Sequence, residues 1–268
     1  MERKLAASTI RENYKFLKGM YIKDTVDADF GFYSYSSVDY GDADVFWNHA
    51  VMFQNIKNLE GKITEVKEFY QEKGKSSAFY LPVVEPFKDV LTELKEKGFE
   101  EVFTDVWMFY TGEEIPEGNK NVELEEVSSD GEIEGFVDLF YRSHAADLDD
   151  PYAGLSKEYG EQLKDKFGMD FDSFRVQHFI VKLSDESVGH ITFVENGEMA
   201  AIYNLGTIPD YRGKGIATAT LRKTVEKLRE KDLDQIFLQT EKGSKNEDFF
   251  SNRGFETKFE AECLTESE

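Results

Sequence analysis

Between Tyr203 and Thr218 the sequence reads YNLGTIPDYRGKGIAT, and no other stretch constrains the chain as much. An apolar strand ending at Ile208 meets a glycine-rich turn, and an amphipathic helix begins near Gly215. Gly213 and Gly215 permit a tight backbone turn and remove side chains that would hold a ligand away. Small Ala217 and Thr218 follow at the helix start, so several N–H groups without helical acceptors converge on one point. That point lies at the positive end of a helix macrodipole and suits an anion. Arg212 and Lys214 add positive charge beside it. The turn is not a P-loop, because no Lys-Ser/Thr pair follows the second glycine. Nor is it a dinucleotide fingerprint, since it offers only Gly-x-Gly and follows a hairpin strand rather than opening a βαβ unit.

The flanking pattern extends this segment into a fold. Asn196-Gly197 is a two-residue hairpin turn leading into a strand from Met199 to Ile208. Strands at Gln177–Leu183 and Ser187–Val194 precede it, joined by Ser184-Asp185-Glu186. Upstream lie a strand at Val122–Val127 and helices at Glu132–Ala145 and Leu155–Phe167. Downstream come the helix to Lys231, a strand at Gln235–Thr240, a helix at Asn246–Arg253 and a strand at Thr257–Glu262. The order implies an α/β (α+β) fold with a mixed sheet rather than a doubly wound repeat. In the first half, the spacing predicts helices at Ala6–Lys18, Ile63–Tyr70 and Pro86–Lys97. Phe30–Tyr40 reads as a strand or hairpin, Ser77–Val84 and Val102–Tyr110 as strands. Thr111–Lys120 is rich in Gly, Pro and charge and reads as a linker. Two domains, 1–118 and 119–268, are expected.

Composition limits what the anion site serves. The chain has 32 Lys+Arg against 54 Asp+Glu, a net charge of −22. Residues 121–200 hold 6 basic and 19 acidic side chains, so the excess is concentrated there. A nucleic-acid partner needs a basic stripe to displace counterions, and an anionic membrane surface needs a basic patch; no segment offers either. The charge reads as a solubility device, or as an attraction for a cationic substrate. The single cysteine, Cys263, leaves no internal disulfide and no cysteine-based zinc site. No run approaches a membrane span of about 18 apolar residues. A cytoplasmic monomer or homodimer is the expectation.

The segment resembles the GNAT superfamily of acyl-CoA-dependent N-acetyltransferases. The family's Arg/Gln-x-x-Gly-x-Gly/Ala signature is met by Arg212, Gly215 and Ala217. Phe249-Phe250-Ser251-Asn252-Arg253-Gly254-Phe255 resembles its closing Leu-Tyr-x-x-x-Gly-Phe. The resemblance covers about residues 121–268. It implies a GNAT-like fold in the C-terminal half and acetyl-CoA as cosubstrate. It also implies pyrophosphate contacts from Arg212, Gly213, Lys214, Gly215, Ile216, Ala217 and Thr218. Pantetheine would lie along Leu205, Gly206, Thr207 and Ile208, with an amide near Leu205 polarising the thioester carbonyl. The strands at Met199–Ile208 and Gln235–Thr240 would splay to admit it. Asn246 and Phe250 would border the cofactor from the last helix. The family commonly has a tyrosine at Phe250, whose hydroxyl protonates the departing thiolate; here that acid is missing. Tyr203 and Tyr211 are substitutes. Candidate bases are Glu241, His190 and Glu198, while His49, His144 and His178 read as structural. The N-terminal half echoes the closing motif at Phe69-Tyr70 and Gly98-Phe99 but has no glycine loop. It is expected to be a smaller, degenerate GNAT-like domain, or else an unrelated α/β cap.

These residues predict an N-acetyltransferase moving an acetyl group to a primary amine, small molecule or peptide, by direct attack in a ternary complex. The alternative is a catalytically silent acyl-CoA-binding module. A tRNA-dependent aminoacyl transferase is disfavoured by the intact loop and the acidic surface. Asp147, Asp149 and Asp150 are candidates to meet a cationic acceptor.

Overall fold

The computed structural model describes residues 2–54, 56–144, 156–233 and 235–267. Two compact units emerge, and they are interleaved along the chain rather than consecutive. One comprises Met1–Met108, Gln239–Phe249 and Thr257–Glu268; the other comprises Phe109–Leu238 and Phe250–Glu256.

The first unit opens with α1 (Glu2–Leu17), whose Ala6, Ile10 and Tyr14 recur at helical spacing and are buried. There follow β1 (Asp24–Ala28), β2 (Gly31–Tyr35), a short 3₁₀ turn and β3 (His49–Met52). Helix α2 (Leu59–Gln71), β4 (Ala78–Pro82), α3 (Phe87–Glu96) and β5 (Phe99–Tyr110) complete the run. The expected strand or hairpin at Phe30–Tyr40 is the second arm of a β1–β2 hairpin, paired from Asp24↔Tyr35 to Ala28↔Gly31. Strand β3 was not visible in the sequence. It pairs antiparallel with β2 and parallel with β4, through Ala50↔Phe79 and Val51↔Tyr80. Helix α3 presents Phe87, Leu91 and Leu94 to the core and stops before Gly98, which takes the left-handed conformation (φ 88°) that ends helices.

The second unit begins with β6 (Val122–Glu126), α4 (Asp130–His144), α5 (Lys157–Lys166), β7 (Arg175–Leu183), β8 (Glu186–Glu195) and β9 (Met199–Thr207). Helix α6 (Ile216–Arg229) and most of β10 (Gln235–Glu241) follow, while α7 (Lys245–Ser251) and most of β11 (Phe255–Glu266) fall in the first unit. The second unit's strand order is β10-β9-β8-β7-β6, antiparallel except for the parallel β9–β10 pair. Residues alternate between the two faces of a strand. His178 and His190 thus meet Phe136 of α4 on one face. Phe179 lies under Lys227 of α6 and Phe193 under Lys231, just beyond that helix, on the other. Ile216 and Ala219 anchor α6 against Val122, Val181 and Val188, all at most 2% exposed. Burying such side chains stabilises by about 1.5–3 kcal/mol each. In chain order α1–β5 run helix, two antiparallel hairpin strands, a third strand, helix, parallel strand, helix, strand, and α4–β11 repeat that order with one extra helix, α5.

Two exchanges follow from the interleaving. Strand β11 completes the first unit, pairing antiparallel with β4 from Ala261↔Pro82 to Thr265↔Ala78, and Phe259 stacks on Trp107. The end of β5 joins the second unit, where Phe109 stacks on Phe237 and Tyr110 packs on Phe255.

The segment expected to be a linker is docked instead. The Thr111 amide donates to the Gly254 carbonyl (2.8 Å), and Ile115 is 3% exposed. The Asn119 amide reaches the Gly215 carbonyl (3.1 Å). Its one apolar residue finds a core, and its backbone polar groups find partners at the start of α6.

Candidate functional site

Strand β9 carries an irregularity that places its backbone. Its pairing with β8 runs His190↔Gly206 and then Thr192↔Tyr203, so Asn204 and Leu205 together face Ile191 alone. That is a β-bulge, and Asn204 adopts φ 51° to make it. A bulge breaks the ladder and re-aims the groups beside it. On its other edge β9 pairs with β10 only from Gln235↔Met199 to Phe237↔Ala201. The ladder stops there although β9 continues to Thr207, so the two strands part in the stretch expected to splay.

Immediately after β9, Pro209–Tyr211 form a 3₁₀ turn and Gly213 and Gly215 both sit in the left-handed region, at φ 72° and 73°. Gly215 is the N-cap of α6 and gives it no side-chain cap. The amides of Ile216, Ala217 and Thr218 therefore have no helical acceptor. The contrast with the first unit is direct. There α2 is capped by Asn58, whose side chain accepts from the Gly61 amide at 3.2 Å, so the same place already holds an acceptor. A Cβ on Gly215 would lie 3.3 Å from the Asn119 nitrogen, and one on Gly118 would lie 2.6 Å from the Ala219 nitrogen. The loop is thus held by the chain behind it.

The cations of the loop divide their work. Arg212 Nη2 donates to the Ser143 carbonyl (2.6 Å) and Nε to the Thr207 carbonyl (3.3 Å), so it ties the loop to α4 and β9. Lys214 is exposed, with Nζ 4.4 Å from the Tyr211 ring centre. Arg253 Nε donates to Thr218 Oγ1 (2.9 Å) and brings a guanidinium to the first turn of α6, a contact the sequence did not announce. Ile216 is buried and works as an anchor, whereas Ala217 is half-buried.

Leu205, Gly206, Thr207, Ile208 and the Arg212–Thr218 loop all fall within the second unit, as does Phe250, which packs edge-on against Phe255. Glu241 and Asn246 are exposed and belong to the first unit. Tyr203 is half-buried, and desolvation holds its hydroxyl well above 10. Tyr211 donates to Glu186, which raises its hydroxyl further and occupies it. His190 is fully buried, and burial, with His144 adding to it, pushes its pKa down to about 3. It is neutral at physiological pH. Glu198 lies in the β8–β9 turn, at the end of β9 remote from the loop. His178 is bonded to Thr192 Oγ1 (2.8 Å), and His49 to Tyr14 and to the Val45 carbonyl (2.8 Å). Among the described residues no group of three or more His, Cys, Asp or Glu is placed to hold a metal. Asp147, Asp149 and Asp150 lie outside the described residues.

Comparison with known proteins follows the same line. Residues 139–255 match the model of the acetyltransferase (GNAT) family. No curated protein sequence matches. Among solved structures, a GCN5-related N-acetyltransferase from Kribbella flavida superposes with a TM-score of 0.70 at 14% identity, covering 98% of this chain and 96% of its own. A functionally unknown conserved protein from Staphylococcus epidermidis gives 0.64 at 13% identity, with 94% and 98% coverage. A tandem GNAT protein from the clavulanic acid biosynthesis pathway gives 0.55 at 9% identity, with 81% and 74% coverage. Residues 139–255 thus match the acetyltransferase (GNAT) family, within a chain whose mixed α/β fold is similar to that of a GCN5-related N-acetyltransferase along nearly its whole length.

Proposed function

We propose that the chain is an acetyl-CoA-dependent N-acetyltransferase that moves an acetyl group to a primary amine, small molecule or peptide, by direct attack in a ternary complex. The observation that carries this reading is the uncapped α6 start, built from two left-handed glycines beside a bulged strand that has left its neighbour. Those residues fit the cosubstrate. The amides from Gly213 to Thr218, with Arg253 and Lys214 nearby, suit a pyrophosphate. The edge of β9 from Leu205 to Ile208 suits an extended amide chain, which pairs with it as a further strand would. Bound acetyl-CoA supplies an activated acetyl thioester. The Leu205 amide, re-aimed by the bulge, donates to the carbonyl oxygen as negative charge develops there. Phe250 has no hydroxyl, so protonation of the departing thiolate is read as the work of Tyr203, which keeps its proton, or of water. Burial holds His190 neutral, so removal of the amine's proton is left to water.

The run α1–β5 has the element order of α4–β11 apart from the extra helix α5, and β3 pairs parallel with β4 as β9 does with β10. We read this run as a degenerate GNAT-like domain whose anion site is filled by Asn58. Calorimetry with acetyl-CoA, followed by thiol release across amines, peptides and aminoglycosides, tests the proposal. Saturable one-to-one binding with amine-dependent thiol release is expected. Binding without release from any amine would leave an acyl-CoA-binding module, and no binding would remove the cofactor assignment altogether.

A further inference from the structure

Ser143, in the last turn of α4, stands where three parts of the second unit meet. Its hydroxyl lies 2.9 Å from the Phe140 carbonyl and 2.7 Å from His190 Nε2. A hydroxyl has one proton, and the carbonyl accepts only. The hydroxyl and the ring share one hydrogen bond, whose direction follows the tautomer of His190. The carbonyl of Ser143 accepts Arg212 from the glycine loop (2.6 Å). His190 is wholly buried, its ring held by Phe136 and Phe140 at 5.3 and 5.5 Å.

What lies over the pair is the backbone of β9. A Cβ on Gly206 would be 2.3 Å from His190 Nε2 and 2.6 Å from Ser143 Oγ. No side chain fits, and the strand rests on the two polar atoms directly. Gly206 is also the first residue to resume pairing after the bulge, opposite His190 itself. On the far side of the bulge Thr192 Oγ1 is hydrogen-bonded to His178 Nδ1 (2.8 Å) and accepts from Asn204 Nδ2 (3.4 Å). The bulge is therefore underpinned by polar contacts on both flanks, in a core where a misplaced polar group costs about 1–3 kcal/mol.

We propose that Ser143 and His190 are a positioning pair: they fix the β9 backbone at Leu205–Gly206 and, through Arg212, lock the glycine loop to the end of α4. Neither touches a reacting atom. Their effect on turnover rests on the acetyl-transfer reading, because the Leu205 amide matters only if a carbonyl is to be polarised there. Their effect on the strand does not rest on it.

The experiment separates the two. Hydrogen exchange is followed at residues 203–208 in the wild type, Ser143→Ala, His190→Leu and His190→Gln, with the β7–β8 segments as internal reference. Ser143→Ala is nearly isosteric and keeps the test valid if His190→Leu does not fold. Exchange at 203–208 is expected to rise about tenfold or more in Ser143→Ala and His190→Leu, with the reference unchanged. His190→Gln keeps an N–H donor and should restore most of the protection. With acetyl-CoA and the fastest amine of the panel, kcat should fall about tenfold or more while KM for acetyl-CoA stays within about threefold. The pH profile should keep its shape. Unchanged exchange in Ser143→Ala and His190→Leu overturns the proposal, and so does loss of the ascending pH limb in His190→Leu alone, which would make His190 a base. Failure of wild type to bind acetyl-CoA removes the acetyl-transfer reading and leaves the exchange result to decide the pair.

Discussion

Single residues in this protein do their work through what surrounds them. Asp105 lies on β5 at 9% exposure, accepts from Tyr80 Oη (2.8 Å), and Tyr80 in turn accepts from Trp107 Nε1 (3.0 Å). Desolvation raises its pKa to about 7 against the opposing help of Tyr80, and the charge of Glu241 raises it further. The sign follows from linkage: the folded state binds this proton more tightly than the unfolded chain, whose carboxyl titrates near 4. Ionised Asp105 thus costs stability, a cost that grows from about pH 4 and is complete above about pH 7. Asp105→Asn should raise the melting temperature at pH 8 by several degrees and barely change it at pH 4. An equal shift at both values would show that the proton is not the cause. Phe250 offers a second test at this scale. It is half-buried against Phe255, and Phe250→Tyr restores a hydroxyl without changing the packing surface. Turnover should rise about tenfold, within the range of one general acid, with acetyl-CoA affinity nearly constant. If turnover is unmoved, Tyr203 or water already protonates the thiolate.

The helix starts distinguish the two halves at the level of elements. Asn58→Ala should cost about 1 kcal/mol in unfolding experiments, the usual worth of a lost N-cap. Gly215→Ala should cost about 1–2 kcal/mol for the left-handed backbone and, in addition, at least about tenfold in acetyl-CoA affinity by calorimetry. A valine there would be worse, being β-branched at φ 73°. Equal affinity for Gly215→Ala and wild type would move the anion site elsewhere. The α6 start was legible because its glycines signal locally, whereas α2 was expected only from Ile63 and its Asn58 cap was not read. The Asn196-Gly197 turn and the amphipathic helices were legible too. Strand β1 was not: its only large apolar residue, Val26, is 41% exposed, so no alternation betrays it. Strand β3 is four residues, buried on both faces, and too short to show a period. The bulge at Asn204 and Leu205 escaped notice because an offset of one residue exists only relative to β8. Asp105 was overlooked for a related reason. Its environment is made by Tyr80 and by Glu241, and β11 runs to Glu266, past the expected Glu262, because β4 is there to receive it. Pairing partners from elsewhere in the chain leave no trace in a local window.

At the scale of the molecule, a cut at 118/119 would leave neither compact unit with all its residues. A fragment of residues 1–118 lacks Gln239–Phe249 and Thr257–Glu268, and with them the strand that covers Ala78–Pro82, a wholly buried edge. A fragment of residues 119–268 lacks Phe109 and Tyr110, which pack on Phe237 and Phe255. Exposed, apolar strand edges associate with one another. Each fragment alone should be insoluble or melt without a cooperative transition, whereas the two produced together should recover one. A cooperative melt from 119–268 alone would contradict this. The pairing of β4 with β11 also sets a timetable. Residues 78–82 leave the ribosome well before residues 261–265, at about 5–20 residues per second. For those seconds the apolar segment Phe79-Tyr80-Leu81 waits without its partner, however favourable the rest of its neighbourhood. The nascent first half is thus obliged to linger half-assembled, and conditions that slow translation of the second half should lower soluble yield more than conditions that slow the first.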